Sequence, residues 1–186
     1  MANFVYFVGS KATKEVMVVD PAWEAETILN VAKKEDLKIV GVLVSHFHYD
    51  HTNAIQELLK SVDCPVYIHK KDVPFMNFHS PHFKAVSDGE CVKVGSIEIK
   101  FIHTPGHTPG SQCFHVEDHV ISGDTLFIDA CGRCDLPGGS PEELEKSLSQ
   151  KLMKLSDSTV VCPGHNYADR PLSTIGEQKK TNPYLR

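Results

Sequence analysis

The sequence predicts an α/β protein of two αβ halves, with two sheets packed together and helices on the outside. Three observations carry this expectation. Strand and helix signals alternate along the chain without a low-complexity linker, and the second half repeats the style of the first. The 186 residues, 41% hydrophobic and 23% charged, suffice for one domain over residues 1–186 with a real core.

Taken in order, Asn3 to Val8 and Glu15 to Asp20 read as two strands joined by a turn at Gly9-Ser10-Lys11. Pro21 opens a helical stretch whose Ile28, Leu29 and Ala32 share a face. The nearly continuous apolar run Lys38 to Val44 is a strand buried on both faces. A helix from Asn53 to Lys60 and a short strand from Val66 to Ile68 follow. Cys91 to Val94 and Ser96 to Ile102 form a hairpin about Gly95, and Ser111 to Val116 with His119 to Ser122 form another. Ser140-Pro141-Glu142-Glu143 starts a helix, with Ser as cap, Pro in the first position and Leu144, Leu148 and Leu152 on one stripe. Thr159 to Cys162 is a last strand, and a polar tail closes the chain. In that tail Arg170, Lys179, Lys180 and Arg186 read as solvated surface charge.

A formal charge of −5 disfavours nucleic acid as a partner, because neutralising phosphates needs clustered Lys and Arg. No run approaches a membrane span, and no secretory signal is visible, so a cytoplasmic protein that does not bind membranes is expected. The six cysteines are then expected as reduced thiols, with Cys91, Cys113 and Cys162 buried in apolar strands. Eleven histidines, about twice an average share, call for an explanation.

The explanation starts at Ser45-His46-Phe47-His48-Tyr49-Asp50-His51, directly after the buried strand, where α/β folds carry reactive groups. In extended backbone His46, His48 and Asp50 converge on one point, while His51 faces elsewhere unless a helix begins there. That suits two neighbouring metals, one at His46 and His48 and the other at Asp50 and His51. Chance would place such a cluster in roughly one chain of this composition in 400. Three further candidates follow strands and sit beside glycine: His107 in Thr104–Gly110, Asp124 in Ser122–Thr125, and His165 in Pro163-Gly164-His165. A carboxylate can span two cations, so Asp124 is the natural bridge. His46, His48, His107 and Asp124 would hold one divalent ion; Asp50, His51, His165 and Asp124 would hold the other. The position left open for water marks a catalytic site. Zinc is expected first, with iron and manganese compatible.

His69, His79, His82, His103, His115 and His119 lie outside any ligand spacing and are expected at the surface or in structural roles. Cys131-Gly132-Arg133-Cys134 is a single CxxC, read as an inert reduced loop.

HFHYDH, TPGHTPGS, SGDTLF and PGHNY, in this order and spacing, resemble the metallo-β-lactamase-fold superfamily over nearly the whole chain. The resemblance implies a four-layer αβ/βα sandwich of two mixed sheets with the metal site at one edge. GDTLF, CGR and GHNY are most similar to glyoxalase II, the hydroxyacylglutathione hydrolases, in their short single-domain form. Asp20 matches the aspartate that supports the metal site from behind. By similarity Arg133 and Tyr167 fall where that family contacts glutathione. The chain departs from the pattern at Asp135, in place of an aromatic, and at Asn166, in place of a Glu. It ends 21 residues after His165, so no C-terminal glutathione-binding helical domain is expected.

The resemblance implies a metal-dependent hydrolase acting on a small-molecule thioester, S-2-hydroxyacylglutathione or similar, through a metal-bridging hydroxide. Asp50 would orient that nucleophile or take its proton. The alternative on the same fold is a mononuclear-iron persulfide dioxygenase using His46, His107 and Asp124, which the GRxD pattern at Gly132–Asp135 also resembles. A lactamase, a nuclease and a non-enzymatic metal-binding or redox module built on Cys131 and Cys134 rank lower. The oligomeric state is left open.

Overall fold

In the computed structural model, which describes residues 2–185, the first half of the chain forms a five-stranded sheet. β1 (Tyr6–Gly9) pairs antiparallel with β2 (Glu15–Val19), and α1 (Ala25–Lys34) crosses to β3 (Lys38–Leu43), parallel to β2. Two short helices, α2 (Tyr49–Thr52) and α3 (Ile55–Leu59), lead to β4 (Val66–His69) and β5 (Phe83–Val86), which extend the sheet in parallel. The second half opens with an antiparallel meander of β6 (Cys91–Val94), β7 (Ile97–His103), β8 (Gln112–Val116) and β9 (His119–Gly123). β10 (Leu126–Phe127) and β11 (Ala130–Cys131) form a two-residue ladder. α4 (Pro141–Lys146) runs on through a π-helical stretch, Ser147–Lys151. β12 (Val160–Pro163) then pairs parallel with β9, and β13 (Ser173–Thr174) takes the sheet edge before α5 (Ile175–Thr181). The six-stranded order is β13-β12-β9-β8-β7-β6.

Alternation along single strands sorts these elements into layers, because successive side chains leave a strand on opposite faces. Val16 and Val18 pack with Ile28, Ile55 and Leu58 of the outer helices, whereas Met17 and Val19 pack with Phe101, Phe114 and Ile121 of the other sheet. The second sheet divides likewise: Phe114, Ile121 and Cys162 face the first sheet, while Cys113, Val120 and Val161 face Leu144, Leu148 and Ile175. The result is helix, sheet, sheet, helix, the four-layer αβ/βα sandwich expected. β3 lies inside its sheet with Val42 and Leu43 fully buried on opposite faces. Ser140 caps α4 as expected, its Oγ accepting from Glu143 N at 3.3 Å.

Several expectations are corrected. The helix expected from Pro21 begins at Ala25, because Asp20 and Glu24 both take left-handed backbone angles and turn the chain first. The helix expected over Asn53–Lys60 is α3, Ile55–Leu59, and an unexpected short helix, α2, precedes it from Tyr49 and redirects Asp50 and His51. Cys91 is exposed on the edge strand β6. All six cysteines are free thiols. The tail is not a polar strip: it adds β13 and α5 and buries Ile175, Gln178, Asn182 and Leu185. Of its charges, Arg170 pairs with Asp129 at 3.0 Å and Lys179 with Asp157 at 2.5 Å, and Arg186 lies outside the described residues. No helix among the described residues is long and apolar enough to cross a membrane.

Candidate metal centre

Four connections converge at one edge of the two sheets: those after β3, β9 and β12, and the loop between β7 and β8. The first carries His46 and His48, and His48 immediately precedes α2, whose first turn presents Asp50 and His51. The start of a helix thus resolves the earlier difficulty: His46 and His48 point together, and Asp50 joins His51 on a different side. Gly123 adopts φ 49°, and a Cβ there would meet the Ser45 side chain at 2.6 Å. A Cβ on Gly164 would lie 2.5 Å from Asp124 Oδ1, so only glycine lets this strand end close on the carboxylate.

The structure brings all seven expected ligands together. His46, His48 and His107 have ring nitrogens within 4.8 Å of one another, as do the donor atoms of Asp50, His51 and His165. Asp124 groups with His46 and His51, one from each expected set, which is what a bridging carboxylate requires. Its Oδ1 lies 3.3 Å from His51 Nε2, and its Oδ2 lies 3.2 Å from His165 Nε2 and 3.7 Å from His107 Nε2. His51 Nε2 and His165 Nε2 face each other at 3.2 Å, and both approach Asp50 Oδ2, at 3.6 and 3.5 Å.

Hydrogen bonds on the far side of the rings decide which nitrogens face inward. Asp20 accepts from Ser45 N at 2.7 Å, Ser45 Oγ at 2.6 Å and His51 Nδ1 at 2.9 Å, so His51 Nε2 points into the cluster. His107 Nδ1 donates to the Arg133 carbonyl at 2.7 Å, which likewise turns Nε2 inward. Asn3 Nδ2 donates to Asp50 Oδ2 at 3.1 Å. Sequence reasoning had assigned Asp20 its supporting place but missed Ser45, Asn3 and Asp72. The fully buried Asp72 carboxylate accepts from Phe47 N, Thr108 Oγ1 and Gly110 N at 3.0, 2.8 and 2.6 Å, tying the His46/His48 loop to the His107 loop.

Burial holds His46 well below the ordinary imidazole range, reinforced by repulsion from His51, His107, His48 and His165. Burial and His107 lower His48 to about 4, and burial lowers His107 against the pull of Asp124. These rings are neutral, with lone pairs available. His51 is the exception. Burial opposes its charge, but the Asp20 hydrogen bond and the Asp20, Asp124 and Asp50 carboxylates prevail and raise it to about 9. Burial also opposes the Asp124 charge, yet the His165 hydrogen bond and nearby His51, His165 and His107 keep it below the usual carboxylate range. His46 Nε2 and Asp124 Oδ1 are buried without a hydrogen-bond partner. Such orphans cost about 1–3 kcal/mol each, and a divalent cation held by nitrogen and oxygen donors supplies what they lack. The residues therefore fit the metal ions the sequence pattern implies.

A cavity of about 530 Å³ opens over the cluster, lined by Asp50, Phe47, Phe75, Leu136, Arg133 and Tyr167 among others. Tyr167 stacks on His165 with ring centroids 4.7 Å apart, and the Arg133 guanidinium is held bidentate by Asp135 at 2.7 Å. His69, His79, His82, His103, His115 and His119 join no metal-ligating group among the described residues; His69 is buried and stacked on His103 at 3.9 Å. Cys131 and Cys134 also stay outside any such group and pack against the Leu144 and Leu148 layer.

Comparison with known proteins agrees with this geometry. The family model of the metallo-beta-lactamase superfamily matches residues 1–165. A probable polyketide biosynthesis zinc-dependent hydrolase, BaeB of Bacillus velezensis, is 30% identical over 100% of this chain and 82% of its own length. Among solved structures, ETHE1 from Myxococcus xanthus superposes with a TM-score of 0.89 at 32% identity, covering 98% of this chain and 79% of that one. TTHA1623 in a di-iron-bound form gives 0.85 at 31%, covering 97% and 94%. With the fold, the ordered His/Asp cluster and the matched family model in agreement, the chain belongs to the metallo-beta-lactamase superfamily of metal-dependent hydrolases.

Proposed function

We propose that this protein hydrolyses a small-molecule thioester, S-2-hydroxyacylglutathione or a similar 2-hydroxyacyl thioester, at a site for two divalent metal ions. The observation that carries the reading is the Asp124 carboxylate, which lies 3.3 Å from His51 Nε2 of one set and 3.7 Å from His107 Nε2 of the other, and groups with His46 and His51. His46, His48 and His107 would hold one ion and Asp50, His51 and His165 the other. When bound, such ions supply Lewis acidity, which brings the pKa of a coordinated water toward neutrality and polarises a carbonyl.

The chain supplies the rest. Asp50 Oδ2 borders the cavity and is fixed by Asn3, so it orients an attacking water or accepts its proton at that oxygen. Phe47 and Phe75, stacked 5.0 Å apart, wall one side of the cavity and reduce water access to a bound substrate. Arg133 and Tyr167 stand at the rim to engage the thiol arm. No acid is needed for departure, because a thiolate is a good leaving group.

The deciding experiment measures metal content on protein purified without added metal, beside turnover of S-lactoylglutathione and other acyl thioesters. About two ions per chain with thioester cleavage is the expected result. One iron per chain with O₂ uptake on glutathione persulfide, and no thioester cleavage, overturns the hydrolase in favour of a dioxygenase. Cleavage of a β-lactam but no thioester assigns the site to amide chemistry instead.

A further inference from the structure

A second cavity, about 630 Å³, adjoins the first across the Cys131–Asp135 loop. Its walls are Cys131, Cys134, Leu144 and Leu148, with Tyr184 at the mouth, and it shares Arg133 with the cavity above the metal cluster. We infer that this second cavity binds the apolar acyl arm of the substrate, so that among the thioesters cleaved those whose acyl chain carries a longer aliphatic tail are preferred. The inference rests on the thioester reading of the site and specifies its substrate class.

Continuity with the reaction site is the first argument. Arg133 lines both cavities, and its carbonyl accepts the His107 Nδ1–H at 2.7 Å, so the segment between them is anchored to a candidate ligand. A thioester has two arms leaving one reacting carbon. With the thiol arm at Arg133 and Tyr167 in the first cavity, the neighbouring cavity is the space left for the other arm.

Chemistry is the second argument. Leu144 and Leu148 offer aliphatic surface, and the two thiols behave as small apolar groups. Burial pushes Cys131 up to about 11 and raises Cys134, so both remain uncharged near neutrality. The guanidinium at the rim is already neutralised by Asp135, and Glu145 adds a further negative charge. An anionic arm finds no unpaired cation among these lining residues, whereas methylenes would be removed from water.

The test uses N-acetylcysteamine thioesters from acetyl to octanoyl with the metal-loaded protein. kcat/KM is expected to rise about three- to fourfold per methylene until the cavity is full. Cys134→Phe fills the cavity and should lower the octanoyl-to-acetyl ratio of kcat/KM by about tenfold or more. A flat chain-length series, or an unchanged ratio in a folded Cys134→Phe, overturns the assignment. An activity-independent readout is alkylation of Cys134 by N-ethylmaleimide, followed by peptide mass spectrometry. The non-hydrolysable octyl thioether of N-acetylcysteamine should protect Cys134 in the wild-type protein, while the ethyl thioether should not. Protection without thioester turnover would sink the proposed reaction but keep the apolar site; turnover without protection would do the reverse. Protection that needs no probe and grows with protein concentration assigns the cavity to a second copy of the chain and overturns the inference.

Discussion

Asp20 shows how one side chain behind the cluster sets what the cluster can do. Its Oδ1 accepts from Ser45 N, and its Oδ2 accepts from both Ser45 Oγ and His51 Nδ1. An asparagine amide in the same place presents hydrogens to at least one of these donors, and His51 loses the acceptor that fixes its tautomer. Asp20→Asn should therefore weaken metal binding about 10- to 100-fold, measured by competition with a chromogenic chelator. Asp124→Ala is expected to be more severe, removing the carboxylate that faces both histidine sets, with activity lost and metal content reduced on mass spectrometry. His69→Ala, outside the cluster, should leave turnover intact. At this scale the site was highly legible: seven ligand-type residues declared themselves by type, by proximity to strand ends and by neighbouring glycines. Ser45, Asn3 and Asp72 did not, since nothing in their local sequence reveals partners 25 to 47 residues away.

Elements position those residues, and here legibility was uneven. Strands with a buried run or clean alternation, β2, β3, β7 and β8, were readable because burial imposes a pattern. β10, β11 and β13 span two residues each, too short for a period to show, and β5 buries only Val86. α5 was hidden for another reason: its buried face is largely polar. Gln178 and Asn182 are fully buried, and Asn182 Nδ2 donates to Phe127 O, Ala130 O and Gln178 Oε1. This network pins β10 and β11, the ladder that leads from Asp124 to Arg133. Asn182→Ala leaves those carbonyls unsatisfied and should destabilise by about 1–3 kcal/mol, seen as a lower urea midpoint. Asp72 acts between elements in the same way. Removing its carboxylate by Asp72→Ala takes away the acceptor for Phe47 N, Thr108 Oγ1 and Gly110 N. The expected cost is about 3 kcal/mol or more by urea titration, accompanied by weaker metal binding because both ligand loops loosen.

For the molecule as a whole, gathering so many imidazoles into a buried edge makes stability depend on pH and on metal together. His46, His48, His69 and His107 are held below the ordinary histidine value of 6.5, chiefly by burial, with His48 and His69 at about 4. A depressed folded pKa means that the unfolded chain binds protons first as pH falls, so stability is full above 6.5 and lost toward 4. His51 has the opposite sign: raised to about 9, it favours the metal-free fold below 6.5, and that contribution disappears as pH rises through 9. Burial also raises Asp72 to about 6, which favours the fold slightly as pH falls, one carboxyl against the six lowered imidazoles, His103 and His115 included. The metal-free protein should accordingly melt highest near pH 7, lower at pH 5 and lower again at pH 9.5. His69→Gln, which removes a depressed imidazole outside the cluster, should shrink the drop between pH 7 and pH 5. Zinc should raise the melting temperature at pH 7 by mass action and reduce the fall toward pH 9.5, because a cation replaces the proton on His51, while the buried thiols Cys64, Cys113, Cys131 and Cys162, raised to about 11, keep the rest of that fall. At pH 5 zinc should help less, since protons compete for the same nitrogens. A melting temperature that is flat across this range in the metal-free protein would mean that these rings are not held neutral and unpaired, and the metal assignment would lose its electrostatic basis.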